Sequence, residues 1–230
     1  MEHALEKAPN HVLGRVVLMA NAVVEAIRKR RSIRRYSPQV VSNTAVRRLL
    51  EIASWAPSAH NAQPWRFVVV SDRAVRGLLV DRMAEAYSKD LERDGLLEAR
   101  RDLIESSRRL FLEAPALIVA CLTMEKMHRY PDEKRRRAEL VMGVQSLAAS
   151  ITTFLLAAHA EGYGACWFCA PLFCQDEVRQ VLRMPSSVEP QAIITIGLPD
   201  EQPPPPTRIN AESIVFENCW GRPLSLAGQV

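Results

Sequence analysis

Leu140 to Ala160 reads LVMGVQSLAASITTFLLAAHA, and Gly162-Tyr163-Gly164-Ala165-Cys166-Trp167-Phe168 follows at once. The first stretch holds no Asp, Glu, Lys or Arg, and as a helix it would cover ~31 Å at ~1.5 Å per residue, enough to cross a bilayer. Gln145, Ser146, Ser150, Thr152, Thr153 and His159 interrupt it, however, and the chain offers no second span. It therefore reads as the buried central helix of a globular protein, with a side available to a partner subunit. Gly162 or Gly164 supplies its left-handed stop, and Ala165–Ala170 reads as the strand it feeds.

Working outward, Asn21 opens a helix that carries Val23, Val24 and Ile27 at helical spacing and ends in a basic cluster near Ser32. Ser42 or Asn43 caps a second helix, with a stripe of Val46, Leu49, Leu50 and Ala53 that stops by Pro57. Phe67–Val70, Ala116–Leu122 and Gln191–Ile196 read as strands. Residues 74–112 and 176–182 read as helical, and the charge-dense part, Asp90–Arg109, as a solvated excursion or lid. Pro203–Pro206 cannot join a helix or sheet interior and should run extended over the surface. Beyond it, Ser213-Ile214-Val215-Phe216 reads as an apolar strand able to pair with another subunit's sheet. The resulting division is an N-terminal extension over 1–20, one domain over 21–202 and a Pro-rich linker and C-terminal arm over 203–230.

Composition bounds the function. With 230 residues, 48% hydrophobic and 24% charged, the chain suits a single folded domain. The net charge of +4 is concentrated in Arg28, Lys29, Arg30, Arg31, Arg34 and Arg35, and the remainder is slightly acidic. One short cluster fits a compact anion such as a phosphate better than a nucleic acid, which is gripped by a basic face. Five cysteines are too few for a disulfide framework and read as thiols of a reducing compartment. Glu2 and Glu6 stand where a secretory signal wants basic residues, so a cytoplasmic location is expected, with neither membrane nor nucleic acid as a partner.

Four constellations carry the chemistry. Arg30, Arg31, Ser32 and Arg34 offer guanidinium groups and a hydroxyl suited to phosphate oxygens. The loop from Pro57 to Trp65 presents Asn61 and Gln63, which can pair with the edge of a planar heterocycle, while small Ser58 and Ala59 allow close backbone approach. Gly164, Ala165, Cys166 and Trp167 form a glycine-led turn into a bulky strand. Arg208 follows the prolines. Taken singly, each has an ordinary explanation: a solvated basic face, a turn, a helix stop, a surface arginine.

Together, in this order and across nearly the whole chain, they resemble the FMN-dependent nitroreductase family. The resemblance implies an α+β, three-layer α/β/α fold, with a mixed, mainly antiparallel sheet flanked by helices and a C-terminal arm exchanged in a homodimer. It implies that Arg30, Arg31, Ser32, Arg34 and Arg208 hold the flavin phosphate. Pro57, Ser58, Ala59, Asn61 and Gln63 of the second subunit would touch the ring, and Gly164, Ala165, Cys166 and Trp167 would lie along it. It also implies hydride flow from NADH or NADPH through FMN to an electron-poor acceptor such as a nitroaromatic or quinone. The chemistry then rests on FMN, and no catalytic side chain is expected.

Within the family, Asp90–Gly95, Tyr130-Pro131-Asp132 and the Gly-Tyr-Gly-Ala-Cys-Trp turn are most similar to the nitroreductase-like C-terminal domain of coenzyme F-420-0 gamma-glutamyl ligase proteins. That likeness implies a deazaflavin precursor as an alternative substrate, with Asp90 as a substrate contact; a solvated helix charge is the alternative for Asp90. A basic nucleic-acid or regulatory module built on Arg28–Arg35 is the rival from another class. Cys166 and Cys169 lack the further ligands that zinc needs at suitable spacing, so no metal is expected.

Overall fold

A computed structural model describes residues 22–225; the expected N-terminal extension and the end of the arm lie outside them. Strands β1 (Trp65–Val69), β2 (Ala116–Thr123), β3 (Gly164–Phe168) and β4 (Val188–Gly197) form one sheet in the order β1-β2-β4-β3. Every strand pair in it is antiparallel. A single bridge from Ser32 to Ala165 is parallel, in keeping with the expected mixed, mainly antiparallel arrangement.

β2 explains the layering. All its residues are buried, and because side chains alternate across a strand, Ala116, Ile118, Ala120 and Leu122 face one core and Leu117, Val119 and Cys121 the other. The first core is completed by α2 (Asn43–Ala53) and α5 (Glu133–Ala160), the second by α3 (Arg73–Arg93), α4 (Leu97–Glu113) and α6 (Gln175–Leu182). Full burial of each large side chain, such as Leu49, Leu117 or Phe154, contributes roughly 1.5–3 kcal/mol.

α5 begins earlier than its uncharged run because the Asp132 carboxylate accepts the Arg135 N–H at 2.9 Å and caps the first turn. Leu147, Ile151, Phe154 and Ala158 bury its inner side, and Ser150 donates to the Ala53 carbonyl at 3.0 Å, tying down the end of α2. Leu140, Val141 and Val144 remain 39–46% exposed on another side. A short helix α1 over 22–29 also shows Val23, Val24 and Ile27 to solvent.

One expectation holds in part and one fails. The charge-dense region is largely solvated, as expected, but it is anchored: α3 and α4 break at Gly95 (φ +70°) and pack on each other, and Leu91 and Ile104 are buried. Ser213–Phe216 is no strand: Ala211–Ser213 is a 3-10 turn, and Phe216 makes an isolated bridge to Pro223. Its apolar residues have no sheet beside them in this chain, so the local turn wins.

Candidate active site

The segment between α1 and α2 is strapped along the open edge of β3. Ile33 N–H donates to the Ala165 carbonyl (3.1 Å), and Ser37 N–H to that of Leu198 (2.9 Å). The Tyr36 phenol donates to the Ile33 carbonyl (2.5 Å) and lies 2.7 Å from Thr195 Oγ1. Burial pushes the phenol pKa far above the usual range, so it remains a neutral donor. Gly164 permits this approach, since a Cβ there would lie 2.8 Å from Ile33.

Between this strap, the last turn of α5 and Pro199–Pro205 opens a cleft of about 930 Å³, bordered by Lys29, Arg30, Arg31, His159, Gly164 and Ala165. Lys29, Arg30 and Arg31 outnumber the carboxylates Asp200 and Glu201 on its walls by one, and Lys29 also pairs with Glu25. Burial first, and then Arg30, Arg31 and Lys29, hold the His159 pKa below its ordinary 6.5. Arg31 turns back to donate to the Arg28 and Arg30 carbonyls (2.6 and 2.9 Å), at the end of α1, while its buried Nε has no partner. Arg34 is exposed, its guanidinium 5.9 Å from the Phe168 ring centre. Glu201 accepts the backbone N–H groups of Arg34 (2.5 Å) and Arg35 (3.1 Å), so a carboxylate already holds those donors at the cleft's margin. Ser32 hydrogen-bonds the Cys166 thiol, whose pKa burial nevertheless raises. This is a structural thiol rather than a nucleophile.

The Pro57–Trp65 loop is built elsewhere. His60, Asn61 and Gln63 take φ of 56°, 51° and 47°, each costing on the order of 1 kcal/mol or more. The strain is held by Ala59 N–H donating to Ser146 Oγ, Gln63 N–H to Ser58 Oγ (both 3.1 Å), and a 3.3 Å contact between His60 Nε2 and Glu139. Asn61 and Gln63 are exposed and bond each other at 3.4 Å. From Ser146 to His159 along α5 is ~20 Å, so one chain does not bring the loop to the cleft.

The remaining candidates scatter. Trp167 lines a separate apolar cavity of about 520 Å³ with Met83, Tyr87, Phe111, Phe168 and Phe173; its indole Nε1 is buried without a partner. Asp90 pairs with Arg93 at 2.6 Å on α3, outside the basic cleft. Arg208 is exposed on the arm, beyond the Pro203–Pro205 wall. Cys166 is buried and Cys169 exposed. Lys29 belongs to the cluster expected to meet a compact anion, whereas nothing in the residues singled out Glu201, and only the place of His159 at the end of α5, just before Gly162, hinted at its position on the cleft.

Residues 27–198, from the last turn of α1 through β4, match the model of the Nitroreductase family. The chain belongs to the nitroreductase family. Among its nitroreductase relatives, proteins of Archaeoglobus fulgidus and Methanothermobacter thermautotrophicus share the name "Putative NADH dehydrogenase/NAD(P)H nitroreductase". Each is 28% identical, covering 78% and 86% of this chain respectively and 86% of its own length. In structure the chain is similar to a BluB-like flavoprotein of Clostridium difficile (TM-score 0.70, 26% identity, 85% of this chain and 98% of that one). It is also similar to a nitroreductase-type protein of Desulfovibrio desulfuricans in complex with FMN (TM-score 0.64, 28% identity, 86% and 97%). The nitroreductase match spans the strap, the loop and the glycine-led turn, but not the proline run or Arg208.

Proposed function

We propose that this nitroreductase-family chain, an FMN-dependent oxidoreductase using NAD(P)H, holds the flavin phosphate in the basic cleft and works as a dimer. The observation that carries the placement is the convergence of Lys29, Arg30, Arg31 and His159 on one cleft beside the Gly164–Ala165 backbone. These residues fit a phosphate-tailed cofactor: the unpaired Arg31 Nε is a donor awaiting an acceptor, and the cleft volume lies within the range of cofactor sites. Arg30, Arg31, Ser32 and Arg34 would bind the tail, and Gly164, Ala165 and Cys166 would border the ring, with Trp167 behind them. Bound flavin supplies hydride transfer from NADH or NADPH to an electron-poor acceptor such as a nitroaromatic or quinone. The chain's own part is to bind and orient it, to place positive charge by its tail and to exclude water; of the acid–base side chains on the cleft walls, His159, Asp200 and Glu201, the last is already held by the Arg34 and Arg35 N–H groups.

A second copy completes the reading. The apolar side of α5 at Leu140, Val141 and Val144 suits a twofold contact. If two α5 helices pair antiparallel so that these residues of one lie against the last turns of the other, the loop end of one meets the cleft end of the other. Pro57, Ser58, Ala59, Asn61 and Gln63 of one copy then roof the ring held by its partner, and the arm beyond Pro203, with Arg208, reaches across. The division into a domain over 21–202 and an arm over 203–230 belongs to this proposal. The narrower deazaflavin reading rests on Asp90–Gly95, the Tyr130–Asp132 segment and the Gly162–Trp167 turn alone, since the relatives carry nitroreductase and flavoprotein names. The test is the absorbance spectrum and mass of the freshly purified protein: a flavin-bearing dimer that oxidises NAD(P)H with a quinone is expected. A colourless protein that ignores added FMN overturns the placement.

A further inference from the structure

His60, His128 and Glu139 come from a loop, the segment before α5 and α5 itself, and each directs a ligand-type atom to one point. These atoms lie within 4.8 Å of one another. We propose that they form a binding site for a borderline-soft divalent cation, zinc being the probe of that class, with two imidazole nitrogens and one carboxylate oxygen as protein ligands.

Two observations carry this. First, Glu139 is 2% exposed, yet its ion-pair partners among the described residues are the two imidazoles alone. A buried carboxylate without a permanent cation is expensive, and a metal ion supplies that cation. The two rings stack with centres 3.9 Å apart and planes at 22°, so ligation of one ion by both requires the more exposed ring, His128, to turn out of the stack.

Second, the spacing is close to that of a coordination shell. Metal–ligand bonds of about 2.0–2.1 Å at tetrahedral angles put ligand atoms roughly 3.3 Å apart, and His60 Nε2 to Glu139 Oε1 is 3.3 Å. His128 Nδ1 to the same oxygen is 4.0 Å, so its half-exposed ring must close in by somewhat under an ångström. The second carboxylate oxygen accepts His128 N–H at 3.1 Å and fixes the orientation of the first.

The site opens on a cleft of about 890 Å³, bordered by Arg66, Arg129 and Arg136 and by Glu125, Glu139 and Glu189. Three cations balance three carboxylates there, so a divalent ion is not repelled. With three protein ligands, a fourth position is left for water or an oxygen donor, the pattern of an open zinc site.

The test uses tag-free full-length protein, its flavin content recorded, stripped with chelator and titrated calorimetrically with zinc and spectroscopically with cobalt. One ion per chain is expected, with affinity falling at least about tenfold in His60→Gln, His128→Gln and Glu139→Gln. A Cys169→Ser/Cys219→Ser variant, lacking the two exposed thiols, should bind as the parent does. No stoichiometric binding, binding indifferent to the histidine variants, or binding lost with the thiols overturns the proposal. The exposed histidines decide the matter even if Glu139→Gln fails to fold.

Discussion

Gly164 and Ile33 touch so closely that a methyl group at position 164 would sit 2.8 Å from three Ile33 side-chain atoms. The contact seats the arginine-bearing strap against β3. Gly164→Ala should therefore cost about 1–3 kcal/mol by overpacking and weaken FMN binding, both read by thermal melting and fluorescence titration. Adding Ile33→Ala should recover much of the loss by making room. No recovery would mean that the strap is placed by something other than this contact.

Tyr36→Phe removes the donor to the Ile33 carbonyl and strands Thr195 in the core. We expect a loss of about 1–2 kcal/mol, seen as a lowered melting temperature with the fold retained. A variant as stable as the parent would place the strap's anchorage in the Ala165 and Leu198 carbonyls instead.

Arg30→Ala should weaken FMN by roughly ten- to a hundredfold, the worth of a charge-assisted hydrogen bond. Riboflavin, which lacks the phosphate, should bind parent and variant alike. Equal losses for both ligands would remove Arg30 from the phosphate's shell.

The pKa of His159 is depressed by burial and then by Arg30, Arg31 and Lys29. In ligand-free protein its contribution to stability is therefore present above pH 6.5 and lost as pH falls through the lower folded value. A phosphate in the cleft offsets the three cations and raises that pKa, so binding takes up a proton and FMN affinity gains as pH falls through this window. The phosphate's own protonation near about pH 6 works the other way. The His159 contribution is thus the difference between parent and His159→Gln, measured by titration across pH; superimposable curves would exclude it.

Val144→Glu places a charge on the exposed apolar side of α5. Ultracentrifugation should show monomers, and the flavin should wash out, because each ring would lose its roof. A flavin-loaded monomer would show that one chain suffices.

Much of this was legible in the residues, and the reason is local. The uncharged run before Gly162 marked α5, the alternating β-branched stretch marked β4, and Ser42 or Asn43 marked the start of α2, where Ser42 proves to be the cap, because period and capping depend on neighbours in the chain. Ends and pairings were not local: α5 gained its early turns from Asp132, and Ser213–Phe216 bent into a turn because no sheet lay beside it.

Sequence by itself determined the family, and with it the sheet flanked by helices. Tertiary structure alone decided that His159 joins Arg30 while Arg31 turns back on its helix, and that the strained loop sits ~20 Å from the cleft along α5. It also decided that His60, His128 and Glu139 meet. Such groupings arise from packing between residues far apart in the chain, and spacing along a sequence carries no record of distances set by how helices lie on a sheet.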